Sequence, residues 1–512
     1  MDTPPLLPWD AHNQTLIQNV HPTGWSNPKP AQKYNLVVIG AGPAGLILAA
    51  VGAGLGAKVA LIERHLMGGD CLNVGCVPSK AILRAARAWA GIRHASSLGI
   101  GIPKDVHYDF GAVMERMRGI RATLSQIDSA HRYTQMGVDV FIGAGRFTGP
   151  DVIQVGGAPL RFVRAAVCTG ARAKVPAIPG LAEAGYFTNE TIFSLTDLPP
   201  RLCVIGAGPI GCELAQAFAR FGSRVTLIEQ TARILPREDA DAARIVQEAL
   251  QRDGVEMIFG GTITQVKTVG REKTIDCRSG KVERSLTVDA ILVGTGRAPN
   301  VEELGLAEAG VAFDAQHGIT VDGRLRTTHP RVYAAGDVCF PLQFTHTADA
   351  LAQIVVQNAL FPHPFGLGYA ATDGLIIPRC TYTDPEIAHI GRYEPPTRAE
   401  GAEITTHTVS LHEVDRAVLD SEEDGFVRLH LLRGTDQIVG ATIVAAHAGD
   451  LISQLALAMR AGLGAGAFCR TIYPYPTQAE AIKKAANVWR RTTFTAGKKR
   501  LLERWFHFAR RH

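Results

Sequence analysis

YNLVVIG (34–40) is a short apolar run, rich in β-branched residues and uninterrupted by charge. This is the pattern of a parallel strand buried on both faces. GAGPAG (40–45) follows, then an apolar stretch of helical length, then KVALIE, a second strand pattern ending at Glu63. RLCVIGAGPIG (201–211), another helical stretch and RVTLIE, ending at Glu229, repeat the order. Glu63 lies as far past Gly45 as Glu229 lies past Gly211, so both landmarks recur with one period. The pattern predicts strand, glycine turn, helix and strand, twice.

Each glycine in such a turn has its own task. Gly40 and Gly206 make the tight turn. Gly42 and Gly208 let backbone approach a pyrophosphate. Gly45 and Gly211 let the helix pack against the strand. The helix N-terminus offers N–H groups and partial positive charge to phosphates. Glu63 and Glu229 can accept hydrogen bonds from ribose hydroxyls. Two dinucleotide sites in one chain suggest a flavin and a nicotinamide. A carboxylate at Glu229 suits a free 2′-hydroxyl and repels a 2′-phosphate, which favours NADH; Arg233, shortly after it, keeps NADPH open. The expected fold class is α/β, with two Rossmann-like dinucleotide-binding domains.

Leu36–Ala57 carries no charge and is long enough for a membrane span. It also has six glycines, and Gly40–Gly45 would break a helix at a fixed point. A buried strand, turn and helix are expected instead. Residues 1–33 hold six prolines and no basic, apolar leader, and are read as an extended arm. The formal charge of +5 misleads: residues 490–512 carry +7 and the rest −2. A basic tail is no nucleic-acid-binding face, and no nucleic-acid partner is expected. With 512 residues the chain should hold about three domains, at roughly 150 residues each. The location expected is cytoplasmic.

GGDCLNVGCVPSK (68–80) places Cys71 and Cys76 five positions apart, just after the first dinucleotide pattern. In a regular helix their Cα atoms would be about 8–9 Å apart, and a disulfide needs less than about 7 Å. A bond would require a distorted turn, which Asn73, Gly75 and Pro78 could permit. So short a loop adds little stability. A zinc site needs four ligands, and no second Cys/His cluster lies nearby, so no metal site is expected. Redox exchange is the favoured role, and a helix starting here would favour a thiolate. The other seven cysteines are read mainly as buried small hydrophobes.

GGDCLNVGCVPSK resembles the active-site segment of the pyridine nucleotide–disulfide oxidoreductases, in particular the mercuric reductase and dihydrolipoamide dehydrogenase branches. The resemblance runs from about Tyr34 to Trp489. CTGARAKVPAIPG (168–180) and GTGRAPN (294–300) resemble the family's chain crossings between flavin and nicotinamide domains, and VYAAGDV (332–338) its second flavin segment. The resemblance implies FAD contacts from Thr169, Gly170 and Asp337, and nicotinamide contacts from Gly296. It implies that Cys76 faces the flavin as a thiolate, that Cys71 is the interchange thiol, and that Lys80 pairs with Glu213 beside the flavin ring. It implies a FAD-binding domain at 34–180 and 305–373, split by an NAD(P)-binding domain at 181–304. An α+β dimerisation domain follows at 374–489, hence a homodimer. Residues 1–33 are the N-terminal extension and 490–512 a basic amphipathic tail.

YPYPTQAE (473–480) keeps Glu480 but has Tyr475 where the thiol-directed members of the family have a histidine. A phenol with a pKa near ~10 is a poor proton shuttle at neutral pH. Its alternative role is packing at the dimer interface. A tyrosine there is similar to mercuric reductase, although no C-terminal cysteine pair and no N-terminal CxxC domain accompany it. The expected activity is NAD(P)H-dependent reduction of Hg(II) or another metal ion, with lipoamide, other disulfides or a quinone as alternatives. In the tail, Leu501, Leu502, Trp505, Phe506 and Ala509 share one helical face. The tail would either lie on an anionic membrane, making the protein peripheral, or pack on the body. A membrane-associated flavin-binding redox sensor of low turnover is the reading from a different class.

Overall fold

The two predicted patterns fold alike. In the computed structural model, β1 (Tyr34–Ile39), α2 (Pro43–Gly54) and β2 (Val59–Glu63) form the first. β8 (Arg201–Ile205), the helix Pro209–Arg220 and β9 (Arg224–Glu229) form the second. The structure describes residues 6–393 and 403–511. The first five residues of the extension, residues 394–402 of the expected dimerisation domain and His512 of the tail lie outside them.

β1 is central because it is apolar on both faces. It pairs in parallel with β2 on one side and β6 (Ala158–Val167) on the other. β3 (Asp139–Ile142) flanks β2, β5 (Val152–Val155) and β4 (Gly145–Gly149) continue beyond β6, and Val332–Ala334 also joins β6. In the second sheet β10 (Glu256–Phe259), β9, β8 and the strand Ala290–Val293 lie in that order, all parallel. The two chain crossings meet: β7 (Ala171–Ala173) pairs antiparallel with Arg297–Pro299. The apolar run 36–57 is thus split between a buried strand and a buried helix, and among the described residues no helix is long and apolar enough to cross a membrane.

The chain separates into two compact units. The larger runs to Ala232 and resumes at Gly254–Leu375; the other combines Arg233–Asp253 with residues from Ile376 onward. Within the second unit a five-stranded antiparallel sheet, with the strand Ile438–Ala445 at its centre, packs against the helices Ala240–Arg252 and Ala448–Arg460. Arg428 binds Asp239 and Asp241 there, and Arg379 binds Glu238.

The extension departs from the expected extended arm. Residues 11–20 form a helix, α1 (Ala11–Val20), which buries Asn13, Leu16, Ile17 and Val20. Those four positions are spaced i, i+3, i+4, i+7, one helical face. The prolines stand outside the helix, and Asp10 caps it by accepting from the Asn13 N–H at 2.8 Å. The tail also forms a helix, Ala496–Ala509, but with no buried residue.

Candidate functional site

Both glycine turns fit a dinucleotide. A Cβ on Gly40 would come within 2.4 Å of the Cys168 carbonyl oxygen, and one on Gly206 within 2.6 Å of that of Gly294. A Cβ on Gly45 or Gly211 would lie 1.8 or 2.0 Å from the carbonyl oxygen of the first glycine of its own turn. Gly42 and Gly208 open the helices, with no side chain capping either N-terminus. That leaves first-turn N–H groups for a phosphate. The acids are placed identically. Glu63 accepts from the Ala41 and His65 N–H groups, both at 2.8 Å; Glu229 accepts from those of Ala207 and Thr231, at 2.7 and 2.9 Å. Each carboxylate oxygen retains a lone pair for a ribose hydroxyl. Burial lifts the Glu63 pKa, against those two N–H bonds.

Gly170 (φ +67°) and Gly296 (φ +112°) both need the left-handed backbone region at the crossings. Thr169 donates its hydroxyl to the Asn300 carbonyl at 2.7 Å, and Asn300 returns its side-chain N–H to the Thr169 carbonyl at 2.9 Å. Asp337 follows the strand Val332–Ala334. Burial raises its pKa, with Arg297 opposing, and the Arg297 Nε lies 3.5 Å from its carboxylate. The same guanidinium binds Asp70, the neighbour of Cys71. Neither Arg297 nor Asp70 stood out in the sequence.

The cysteines straddle a break. Cys71 lies on α3 (Gly69–Asn73), and Cys76 opens α4 (Cys76–His94). Gly75 between them has φ −134° and ψ −112°, outside the helical region. A Cβ on it would lie 2.8 Å from the Asp70 carbonyl oxygen. This break brings the two thiols close enough to shift each other's proton affinity. Cys71 lowers the Cys76 pKa to about 6, against partial desolvation; the Thr345 hydroxyl and the Lys80 ammonium assist and Glu213 opposes. The Thr345 Oγ1 lies 3.4 Å from the Cys76 sulfur and begins the helix Thr345–Leu360. Cys76 therefore faces two helix N-termini, its own and this one, both of which favour a thiolate. Cys71 is held far above the ordinary thiol range by the neighbouring Cys76, then by burial. Both cysteines are free thiols.

Lys80, one turn into α4, donates to Glu213 at 2.8 Å, and Glu213 is buried on the helix Pro209–Arg220. The pair ties the cysteine-bearing helix to the second dinucleotide unit. Cys168, Cys203, Cys212 and Cys277 are buried, and Cys339, Cys380 and Cys469 half-buried. Among the described residues no group of three His, Cys, Asp or Glu side chains is placed to hold a metal ion.

In the second unit, Tyr475 is 70% exposed and donates its hydroxyl to Asp415 at 2.8 Å. That bond and the Asp415 charge raise its pKa. Glu480 begins the helix Glu480–Thr492. Sequence reasoning missed Asp415, which is 60 residues from Tyr475.

Residues 34–353 match the pyridine nucleotide-disulphide oxidoreductase family, and residues 377–486 match its dimerisation domain. A mercuric reductase of Staphylococcus aureus is 34% identical over 453 residues, covering 88% of this chain and 82% of that protein. A dihydrolipoyl dehydrogenase of Chlamydia muridarum is 31% identical, covering 89% and 96%. Among solved structures, the Cu(II) complex of the HOCl-induced flavoprotein disulfide reductase RclA from Escherichia coli superposes with a TM-score of 0.78. It is 29% identical and covers 88% of this chain and 98% of that one. The chain belongs to the pyridine nucleotide-disulphide oxidoreductase family, with FAD and a pyridine nucleotide as its cofactors.

Proposed function

We propose that the protein is a homodimeric NADH oxidoreductase that delivers electrons through Cys71 and Cys76 to a soft metal ion such as Hg(II). Its FAD-binding domain would span 34–180 and 305–373, enclosing a nicotinamide domain at 181–304. Residues 374–489 would pair the subunits. The observation that carries this reading is the setting of Cys76, which opens α4 with the Thr345 hydroxyl 3.4 Å from its sulfur, an arrangement that lowers its pKa.

FAD, when bound, supplies the two-electron exchange between nicotinamide and the thiol pair. Glu63, with Gly40, Gly42 and Gly45, would hold its ribose and pyrophosphate, and Asp337, Thr169 and Gly170 its middle. Gly206, Gly208, Gly211, Gly296 and Glu229 would hold the nicotinamide dinucleotide. The Glu229 carboxylate at the end of the second strand, which suits a free 2′-hydroxyl, supports NADH. Lys80 and the buried Glu213 form an ion pair near Cys76, Lys80 assisting and Glu213 opposing its charge. Cys76 offers a thiolate, the soft ligand that Hg(II) prefers, and Cys71 releases its proton as the metal binds. Tyr475, its hydroxyl committed to Asp415 and its pKa raised, is a poor proton shuttle. It suits an acceptor that needs ligand exchange more than a proton. The structurally similar RclA was solved as a Cu(II) complex, which supports a metal ion as acceptor.

The test is anaerobic NADH oxidation with Hg(II) in excess thiol, counting mercury vapour. Stoichiometric release, absent in Cys76→Ser, is expected. NADH oxidation coupled to lipoamide or a quinone, without vapour, would overturn the metal acceptor but keep the thiol pair.

The tail favours a second reading, peripheral contact with an anionic membrane. At about 100° per residue, Leu501, Leu502, Trp505, Phe506, Phe508 and Ala509 share one arc of the tail helix, with Lys498 among them. Lys499, Arg500 and Arg504 lie on the other, and Arg510 and Arg511 follow the helix. The apolar side chains are exposed, with Trp505 at 59%. Contact would bring a quinone within reach; a slow redox sensor at the membrane is the remaining alternative. Co-sedimentation with anionic vesicles, lost on truncation after Thr492, tests this. Equal soluble fractions would remove it.

A further inference from the structure

The N-terminal extension lies before the first residue matched to the family, yet it reaches the redox loop at both ends. At the near end, the Val20 carbonyl accepts from the Met67 N–H at 3.1 Å, and the His21 ring bonds the His65 carbonyl. At the far end the contact runs through Arg121 of α5 (Phe110–Leu124). Arg121 Nη2 donates to the Asn13 Oδ1 at 2.5 Å, and Nη1 donates to the Asn73 carbonyl at 2.8 Å. Asn73 is the last residue of α3, so its carbonyl has no intrahelical partner. It stands two positions before Gly75, where the chain breaks between the cysteines.

Both ends of the Asn13 amide are engaged. Asn13 lies on α1 at 0% exposure, and its amide donates to the Pro8 carbonyl at 2.7 Å while its oxygen receives Arg121. Asp10 fixes this end of α1 by capping it and by accepting from Arg118 Nε at 2.5 Å. Arg121 is itself 3% exposed; burial and the Arg118 cation lower its pKa to about 10, so it stays charged at neutral pH. A buried cation with defined acceptors is a rigid connector, because moving any acceptor strands the charge.

We propose that α1 acts as a brace on the redox loop, with Asn13 and Arg121 as positioning residues that hold the break at Val74–Gly75 and so fix how Cys71, on α3, faces Cys76, at the start of α4. This inference rests on the redox reading of those cysteines. Neither positioning residue touches a thiol. They act on the orientation of α3 relative to α4, which sets how the two thiols face each other. The other groups that set the Cys76 charge are Thr345 on the helix Thr345–Leu360, Lys80 on α4 and Glu213 on the helix Pro209–Arg220. Asp128 acts on Cys71, and Asp337 interacts with Cys76. None of these is altered by changing Asn13 or Arg121.

The experiment measures alkylation of Cys76 by iodoacetamide from pH 5 to 9, in NADH-reduced holoenzyme, by mass spectrometry. Wild type, Asn13→Ala, Asn13→Asp and Arg121→Met are compared. Arg121→Met removes the buried charge together with its bonds, so it should fold even where Asn13→Ala, which strands the cation, does not. The expected result is that Asn13→Ala and Arg121→Met slow Cys76 alkylation at pH 6.5 by about fivefold, with the midpoint moving toward the free-thiol value of ~8.5. Asn13→Asp, which keeps the acceptor, should retain the wild-type profile. Folded Arg121→Met with the wild-type profile would overturn the brace while leaving the thiol pair intact. A wild type whose two cysteines gain no reactivity on NADH reduction would overturn the redox reading, and the brace with it.

Discussion

Two helices flank the family core, and their fates differ. α1 is mostly polar in composition, yet it buries one full face. The tail helix has the sharper division between apolar and basic faces and buries nothing. Amphipathicity measures only what a helix could cover. What docks α1 is the specific polar pairing along it: Asp10 with Arg118, Asn13 with Arg121, and Asn19 with Ser125 at 2.8 Å. These bonds fix one register on α5. The tail has a basic surface and a single acid, Glu503, so nothing comparable selects a protein face for it.

The contrast can be broken most sharply by placing the same lesion in each helix. Leu16→Asp puts an unpaired carboxylate at a site with 0% exposure. It should destabilise the fold by about 3–5 kcal/mol in urea titration. Leu501→Asp, in the tail, should stay within about 0.5 kcal/mol of wild type yet abolish vesicle co-sedimentation. A large loss of stability from the tail variant would mean that the helix packs on protein.

A milder lesion grades the same difference. Ile17→Val should cost about 0.5–1.5 kcal/mol, because Ile17 is buried and a methylene is lost from packed core. Truncation after Thr492 should leave the thermal midpoint unchanged while vesicle binding falls by at least about tenfold, each buried aromatic contributing roughly 1.5–3 kcal/mol. Raising salt from 0.1 to 1 M should weaken the tail's binding, as the screening length falls from about 10 to 3 Å. The docking of α1 should be less affected, since Arg118 and Arg121 are buried.

The smallest effect is a pH slope. Burial raises the Asp10 pKa, but the Asn13 N–H and the Arg118 guanidinium outweigh it and leave the carboxyl below its ordinary range. A depressed folded pKa gives stability that is present above the unfolded value, ~3.9, and lost as pH falls through the folded one. Stability should therefore drop on acidification below about pH 4, and Asp10→Asn should flatten that part of the curve. No change in slope would show that Asp10 keeps an ordinary carboxyl pKa in the folded protein.

The cofactor turns were legible because each rests on local constraints. A glycine whose Cβ would strike a carbonyl oxygen, and an acid ending the next strand, are written at fixed spacing. The cysteine pair was legible as chemistry, but its geometry was not. Sequence left the distorted turn open among Asn73, Gly75 and Pro78. The backbone angles of Gly75 decided it. α1 was misread because its prolines were counted without their positions; the spacing of Asn13, Leu16, Ile17 and Val20 was there to be seen.

The sequence by itself determined the two dinucleotide units, the thiol pair and the tail's division of faces, because near neighbours along the chain impose them. Only the tertiary structure decided which groups tune those elements. Thr345 meets Cys76 across 269 residues, Arg297 meets Asp70 across 227, and Arg121 joins Asn13 to Asn73 across 108 and 48. A buried polar group takes whichever partner the fold brings within hydrogen-bonding distance, and that choice leaves no periodic trace in the chain.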